Sequence, residues 1–268
     1  MGKYIEVESN VKLYVEDIGS GTPVIFIHGW PLNHKMFEYQ FIDLAEKGFR
    51  CIGIDLRGFG KSDAPWEGYS YERQADDIRA VIDALNLHNA VLVGFSIGGA
   101  IAAKYMARHA GYGITKLLLV GAATPSFVQR SDFAFGSPEV VVNNLIISTH
   151  LDRPDMVTDL GMKFFAKKGS ASFTAWFASL GMEASAQGTL KDAASLRDED
   201  LRADLPLIHV PTAIFHGTQD KIVPFELAEQ TQLLIPGSLL VPFDESGHGL
   251  LFDEPRKFND SLYQFISM

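Results

Sequence analysis

One cysteine, Cys51, stands in a chain of 268 residues, so no intramolecular disulfide framework exists. Cys51 lies in an apolar run and reads as a small buried hydrophobe rather than a nucleophile. Positive charge is also short. There are 23 Lys and Arg against 33 Asp and Glu, for a net charge of −10. Nucleic acids and anionic membrane surfaces need basic patches, so neither is an expected partner. Apolar runs such as residues 24–27 and 117–120 fall far short of the roughly 20 residues that span a bilayer. Residues 1–8 contain no apolar stretch of the signal-peptide kind, and Glu6 stands where a myristoylation motif wants Ser or Thr. The expectation is a cytoplasmic protein. No His-Glu-x-x-His and no cysteine–histidine spacing points to a metal. Gly60-Lys61-Ser62 looks like the tail of a phosphate loop, but Asp55 occupies the position of its first glycine. Gly58-x-Gly60 runs on to Asp63, so the dinucleotide fingerprint fails as well. No cofactor is expected.

What is present is a folded chain. Hydrophobic residues make up 47% and charged residues 21%, and the length suffices for a sizeable core. Strand and helix patterns alternate along it. Strands are expected at 4–8 and 12–16 around a Ser9-Asn10 turn, then at 23–27, 50–55, 90–95, 116–121, 212–216 and 239–243. Helices are expected at 36–47, 71–86, 97–110, 226–234 and 255–266; in 71–86, Ala75, Ile78, Val81, Ile82 and Leu85 make one apolar face. This alternation means a mostly parallel eight-stranded sheet with helices on both faces. The rhythm breaks from 122 to 208, where helix-like segments at 138–149, 154–168, 172–182 and 196–204 come with no clear strand. The chain is therefore expected to form a core from 1–121 and 209–268, with 122–208 as a helical cap insertion.

The sharpest local signal is Gly94-Phe95-Ser96-Ile97-Gly98, which fits Gly-x-Ser-x-Gly between an apolar strand and a small-residue helix. Such a turn strains the serine backbone and lifts Oγ above the sheet, while the helix N-terminus points free N–H groups at the site. The bland alternative is a buried serine in a glycine-rich turn. A serine needs a base and an acid behind it, in the order Ser, Asp or Glu, His. Asp220 follows the strand at 212–216 and His248 follows the strand at 239–243, both past carboxyl ends where parallel sheets bind ligands. Ser96, Asp220 and His248 are therefore the candidate triad. Asp244 and Glu245 are too close to His248 to serve as the separate acid. Among the other histidines, His34, His88, His109 and His150 read as solvated or capping, His209 as structural, and His216 as a brace beside the acid. Acyl transfer also needs two N–H donors at the developing oxyanion. Ile97 supplies one, and Trp30, in the loop His28-Gly29-Trp30-Pro31 after an early strand, supplies the other.

These residues resemble the α/β-hydrolase superfamily. The resemblance rests on His28-Gly29-Trp30-Pro31, Asp55-Leu56-Arg57-Gly58-Phe59-Gly60-Lys61-Ser62, the serine turn with Gly99, His216-Gly217-Thr218-Gln219-Asp220 with Ile222-Val223-Pro224, and Gly247-His248. Within the superfamily the chain resembles the cofactor-free (non-haem) haloperoxidase and aryl esterase group, through Trp30-Pro31, Pro65-Trp66 and Thr124-Pro125-Ser126-Phe127. The resemblance implies the α/β-hydrolase fold with a helical cap and a serine hydrolase of small carboxylic esters acting through an acyl-enzyme. It also implies a perhydrolase side activity, in which hydrogen peroxide takes the acyl group and the peracid oxidises halide; Pro31 points the same way. It makes Phe127, Ile222 and Val223 the pocket residues, together with Pro31. No fixed charge in the sequence demands a charged substrate, so small neutral esters are expected. Other chemistry on the same triad (lactamase or amidase, carbon–carbon hydrolase, hydroxynitrile lyase) and a slow-turnover ligand receptor are the alternatives. The oligomeric state is not legible.

Overall fold

Alternation along each strand sorts its side chains onto two faces, and each face meets its own set of helices. In β3 (Thr22–Ile27), Ile25 and Ile27 enter one core cluster while Val24 and Phe26 enter the other. The same split runs through β4 (Phe49–Ile54), β5 (Ala90–Phe95), β6 (Ile114–Val120) and β7 (Thr212–Gly217). The first face packs on α2 (Tyr71–Ala84), α3 (Ile97–Arg108) and α7 (Phe225–Leu234); the second packs on α1 (Glu38–Glu46) and α9 (Pro255–Ser267). The structure is a computed structural model, which describes residues 2–268. With β1 (Lys3–Glu8), β2 (Val11–Gly19) and β8 (Leu239–Phe243), the strands form one eight-stranded sheet in the order β1-β2-β4-β3-β5-β6-β7-β8. β1 and β2 pair antiparallel, β2 pairs antiparallel with β4, and the remaining pairs are parallel. The order reverses at β3, which has β4 on one side and β5 on the other. A crevice opens outside the carboxyl ends at such a switch point, and the loops after β3 and β5 flank it.

Between β6 and β7 lie α4 (Glu139–Phe164), α5 (Ala171–Met182) and α6 (Ala186–Asp198), with two isolated bridges and no full strand. α4 is broken at Asp152 (φ −155°, ψ 84°), two residues before Pro154; the Asp152 carboxylate accepts from Asp155 N–H and caps the second half. Of the helix expected at 196–204, only residues 196–198 are helical, as the end of α6. The helix begins ten residues earlier, capped by Ser185, whose Oγ accepts from Gly188 N–H. Gly188 argues against a helix by propensity, but its Cα lies against the backbone of Gly58, a contact that leaves no room for a side chain. The helix expected at 36–47 divides into a 3-10 turn, His34–Phe37, and α1.

Two buried polar groups tie these parts together. His34, expected to be solvated or capping, is buried, and its Nδ1 and its backbone N–H both meet Asp55 Oδ1 at 2.7 and 2.8 Å. Asp55 Oδ2 accepts from Lys61 N–H, so one carboxylate organises the turn after β4. Asp192 of α6 is fully buried and faces Gln74 of α2, whose Nε2 donates to Asp192 Oδ1 at 2.6 Å. Among the described residues no helix is long and apolar enough to cross a membrane.

Candidate active site

Ser96 is the only residue between the end of β5 and the start of α3. Its φ of +55° with ψ −122° is a conformation that non-glycine residues rarely adopt. Backbone bonds hold it there: Ser96 N–H donates to Val120 O at 2.9 Å, and Ser96 O accepts from Gly99 N–H at 2.9 Å, Ala123 N–H at 3.0 Å and Ala100 N–H at 3.3 Å. A side chain at Gly98 would strike the carbonyls of Ile27 and His28, so the first turn of α3 can lie directly against the end of β3. Ile97, the first residue of that turn, is buried, and its N–H meets no acceptor among the described residues.

The loop after β3 brings the second donor. A Cβ at Gly29 would lie 3.1 Å from Ser96 Cβ, which places this loop against Ser96. The Gly29 carbonyl is held from two sides, by Leu32 N–H at 2.8 Å and His28 Nδ1 at 3.0 Å. A trans peptide directs its N–H opposite to its C=O, so these two bonds fix the direction of Trp30 N–H. Leu56 N–H donates to His28 Nε2 at 3.0 Å, which assigns the proton to Nδ1. Full burial lowers the His28 pKa to about 4, against the pull of Asp55, and the ring is neutral. Trp30 N–H has no acceptor among the described residues, while its indole Nε1 donates to Thr189 O of α6 at 2.9 Å.

Asp220 and His248 arrive on the loops after β7 and β8. His248 Nδ1 meets Asp220 Oδ2 at 2.7 Å. Asp220 Oδ1 accepts from Ile222 N–H at 2.8 Å and Val223 N–H at 2.9 Å. His216 Nε2 donates to Val223 O at 2.9 Å and lies 3.4 Å from Asp220 Oδ2. Burial pushes the Asp220 pKa up, but His248 and His216 outweigh it and hold the carboxyl well below the usual carboxylate range. It is an anion, which orients the imidazole with Nδ1 protonated and Nε2 free to accept. The imidazole is packed between Phe95 and Phe164, each with its ring centroid 4.8 Å away.

Ser96 and His248 open on one cavity of about 30 Å³, lined also by Trp30, Phe127, Leu145, Leu160, Phe164, Leu196 and Ile222. Four of these, Phe127, Leu145, Leu160 and Ile222, also line an outer cavity of about 500 Å³. Fixed charge is confined to the outer one, where Asp152, Asp155, Asp159, Lys163 and Lys221 stand.

Comparison with known proteins agrees with this fold. The family model described as the alpha/beta hydrolase fold matches residues 22–140. The AB hydrolase superfamily protein YisY of Bacillus subtilis (strain 168) is 52% identical over 265 residues, 99% of each chain. The chain belongs to the α/β-hydrolase superfamily. Two solved structures place it more closely. An esterase, EaEST, from Exiguobacterium antarcticum superposes with a TM-score of 0.98 at 48% identity over the whole of both chains. A bromoperoxidase from Bacillus anthracis superposes with a TM-score of 0.97 at 33% identity, again over the whole of both. The chain thus falls in the esterase and non-haem haloperoxidase-like group of α/β hydrolases.

The hydrolase fold brings Ser96, Asp220, His248, Trp30 and Ile97 to one place, and Phe127 and Ile222 with them. It does not bring Pro31 or Val223 to either cavity. Pro31 is buried against Gly181 of α5, and Val223, wholly buried, braces Asp220 through its N–H. Leu145, Leu160 and Leu196 line the inner cavity without a sequence signal that separates them from ordinary helix-packing leucines. His28 was legible only as part of the His-Gly loop. Its neutral, two-bond role follows from the Leu56 and Gly29 contacts, which the fold creates.

Proposed function

We propose that this α/β hydrolase is a serine esterase with a perhydrolase side activity, acting in the cytoplasm on small neutral carboxylic esters. The observation that carries the reading is the shared cavity of Ser96 and His248, with an anionic Asp220 on the far imidazole nitrogen. Ser96 Oγ attacks the ester carbonyl as His248 Nε2 takes its proton; the carbonyl oxygen gains negative charge facing the Trp30 and Ile97 N–H groups. His248 then protonates the departing alcohol. Water, deprotonated by His248, releases the acid and restores Ser96. Hydrogen peroxide in place of water yields the peracid, which oxidises bromide to hypobromite and is itself reduced to the acid.

The cavity sizes support a short acyl group. The inner space is close to the size of one or two small groups and is walled by apolar side chains; the outer space suits the alcohol portion. The helical insertion 122–208 supplies five of the inner lining residues and acts as the cap. Likeness to the esterase and the bromoperoxidase supports both halves of the activity. The test is a panel of nitrophenyl esters of increasing acyl length, run with and without peroxide and with bromide oxidation read in parallel. Acetate turned over fastest, with peracid formed only when peroxide is present, is the expected outcome. No cleavage of any ester would refute the reading.

A further inference from the structure

Asp253, at the end of the short helix α8 (Leu250–Asp253), is buried and lies five residues beyond the proposed base. It lines neither the inner nor the outer cavity. Its carboxylate accepts three backbone N–H groups: Gly247 and Ala166 on Oδ2, each at 2.9 Å, and Lys167 on Oδ1 at 3.2 Å. Two separate segments meet on that one group. Gly247 immediately precedes His248. Ala166 and Lys167 are the second and third residues after α4, whose last residue, Phe164, packs edge-on against the His248 ring. The pairing is closed from the other side, since Gly249 N–H donates to Phe164 O at 2.8 Å. The backbone on both sides of His248 is thus tied to the 164–167 segment, once directly and once through Asp253. The contact is close: a Cβ at Gly247 would lie 2.9 Å from Ala166 N. Glu254, the next residue, holds only the outer part of the loop, accepting from Glu245 N–H and Ser246 Oγ at 3.0 and 2.6 Å.

We infer that Asp253 is a positioning residue for His248, clamping the loop of the catalytic base to the end of the cap helix. A buried carboxylate accepting three N–H groups is a strong, directional tie. Without it, three backbone donors lose their acceptor, the buried one at Gly247 among them, and the Gly249–Phe164 bond is the backbone link left between the His248 loop and the 164–167 segment. Misplacement of a catalytic group by about 1 Å costs on the order of 100-fold in rate. The clamp also makes the base and the cap end move together, so cap displacement during substrate entry is felt at His248.

The inference rests on the triad reading, and the experiment separates the two. Turnover of nitrophenyl acetate by the unaltered enzyme, lost in Ser96→Ala, tests the triad alone. The clamp is tested with Asp253→Asn, Asp253→Ala and, as comparator, Glu254→Gln, all assayed well below their melting temperatures. Asp253→Ala is expected to lower kcat at least tenfold with KM within twofold. Asp253→Asn, which keeps an oxygen for part of the set, is expected to fall between, and Glu254→Gln to stay within twofold. Amide hydrogen exchange, independent of turnover, is expected to speed up in peptides covering both 163–168 and 245–250 in Asp253→Asn, but only around 245–246 in Glu254→Gln. Unchanged kcat in folded Asp253→Asn, unchanged exchange at 163–168, or an equal loss in Glu254→Gln would each overturn the inference.

Discussion

Replacing Asp192 by asparagine will change how the stability of this protein depends on pH. Asp192 is fully buried in α6, and burial raises its pKa from 3.8 to about 8, against the opposing effects of Gln74 and Arg57. The folded pKa lies above the unfolded one, so the folded state holds a proton that the unfolded chain has lost. Stability is fully present below about pH 3.8 and is lost progressively as pH rises toward 8. At ~1.4 kcal/mol per unit, the loss by pH 7 is about 4 kcal/mol. The amide of Asp192→Asn is neutral at every pH and avoids that loss. Its nitrogen takes the place of Asp192 Oδ2, which has no hydrogen-bond partner. The protonated parent leaves that position unpaired as well, so the two differ little at low pH. The variant is therefore close to the parent near pH 4 and more stable near pH 8. Urea unfolding followed by fluorescence of the three tryptophans, at steps between pH 4.5 and 8, reads the difference directly. A difference that stays flat across that range would refute the assignment of a buried, protonated acid between α2 and α6.

Three further outcomes are expected. Arg57 is fully buried, with Nε and an Nη each 2.7 Å from Asp77 oxygens; Arg57→Met should destabilise by about 1.5–3 kcal/mol in chemical denaturation, because it leaves Asp77 with only Arg73, 2.9 Å away, as a charged partner. His28→Phe removes one of the two donors on the Gly29 carbonyl and loosens the Trp30 peptide, and should lower kcat roughly 10- to 100-fold with little change in KM. Leu145→Ala enlarges the inner cavity and should raise the butyrate-to-acetate ratio of kcat/KM about tenfold, read on paired nitrophenyl esters.

What was legible in the sequence is local. Gly94–Gly98 forms a strand-to-helix turn by sterics alone, and Asp220 and His248 stand in loops that parallel strands must end in. The sheet was legible because buried strands read as short apolar runs and their helices as amphipathic ones. The misses come from contacts made across the fold. Gly188 disguised the start of α6, since the closeness of Gly58 is invisible along the chain. His34 looked solvated because its partner, Asp55, is 21 residues away. Val223 looked like a pocket residue, yet its N–H is needed on Asp220. Asp253 carried no signal at all, because a carboxylate that binds backbone N–H groups needs no particular neighbours in sequence.

The central claim is that Ser96 is the nucleophile activated by His248 and Asp220. An alkyl phosphonate probe with intact-protein and peptide mass spectrometry tests it most directly. One adduct on the peptide containing Ser96, absent in Ser96→Ala and formed at least ~1,000-fold more slowly in His248→Ala, is the predicted result. No adduct, or an adduct that persists in Ser96→Ala, would contradict it.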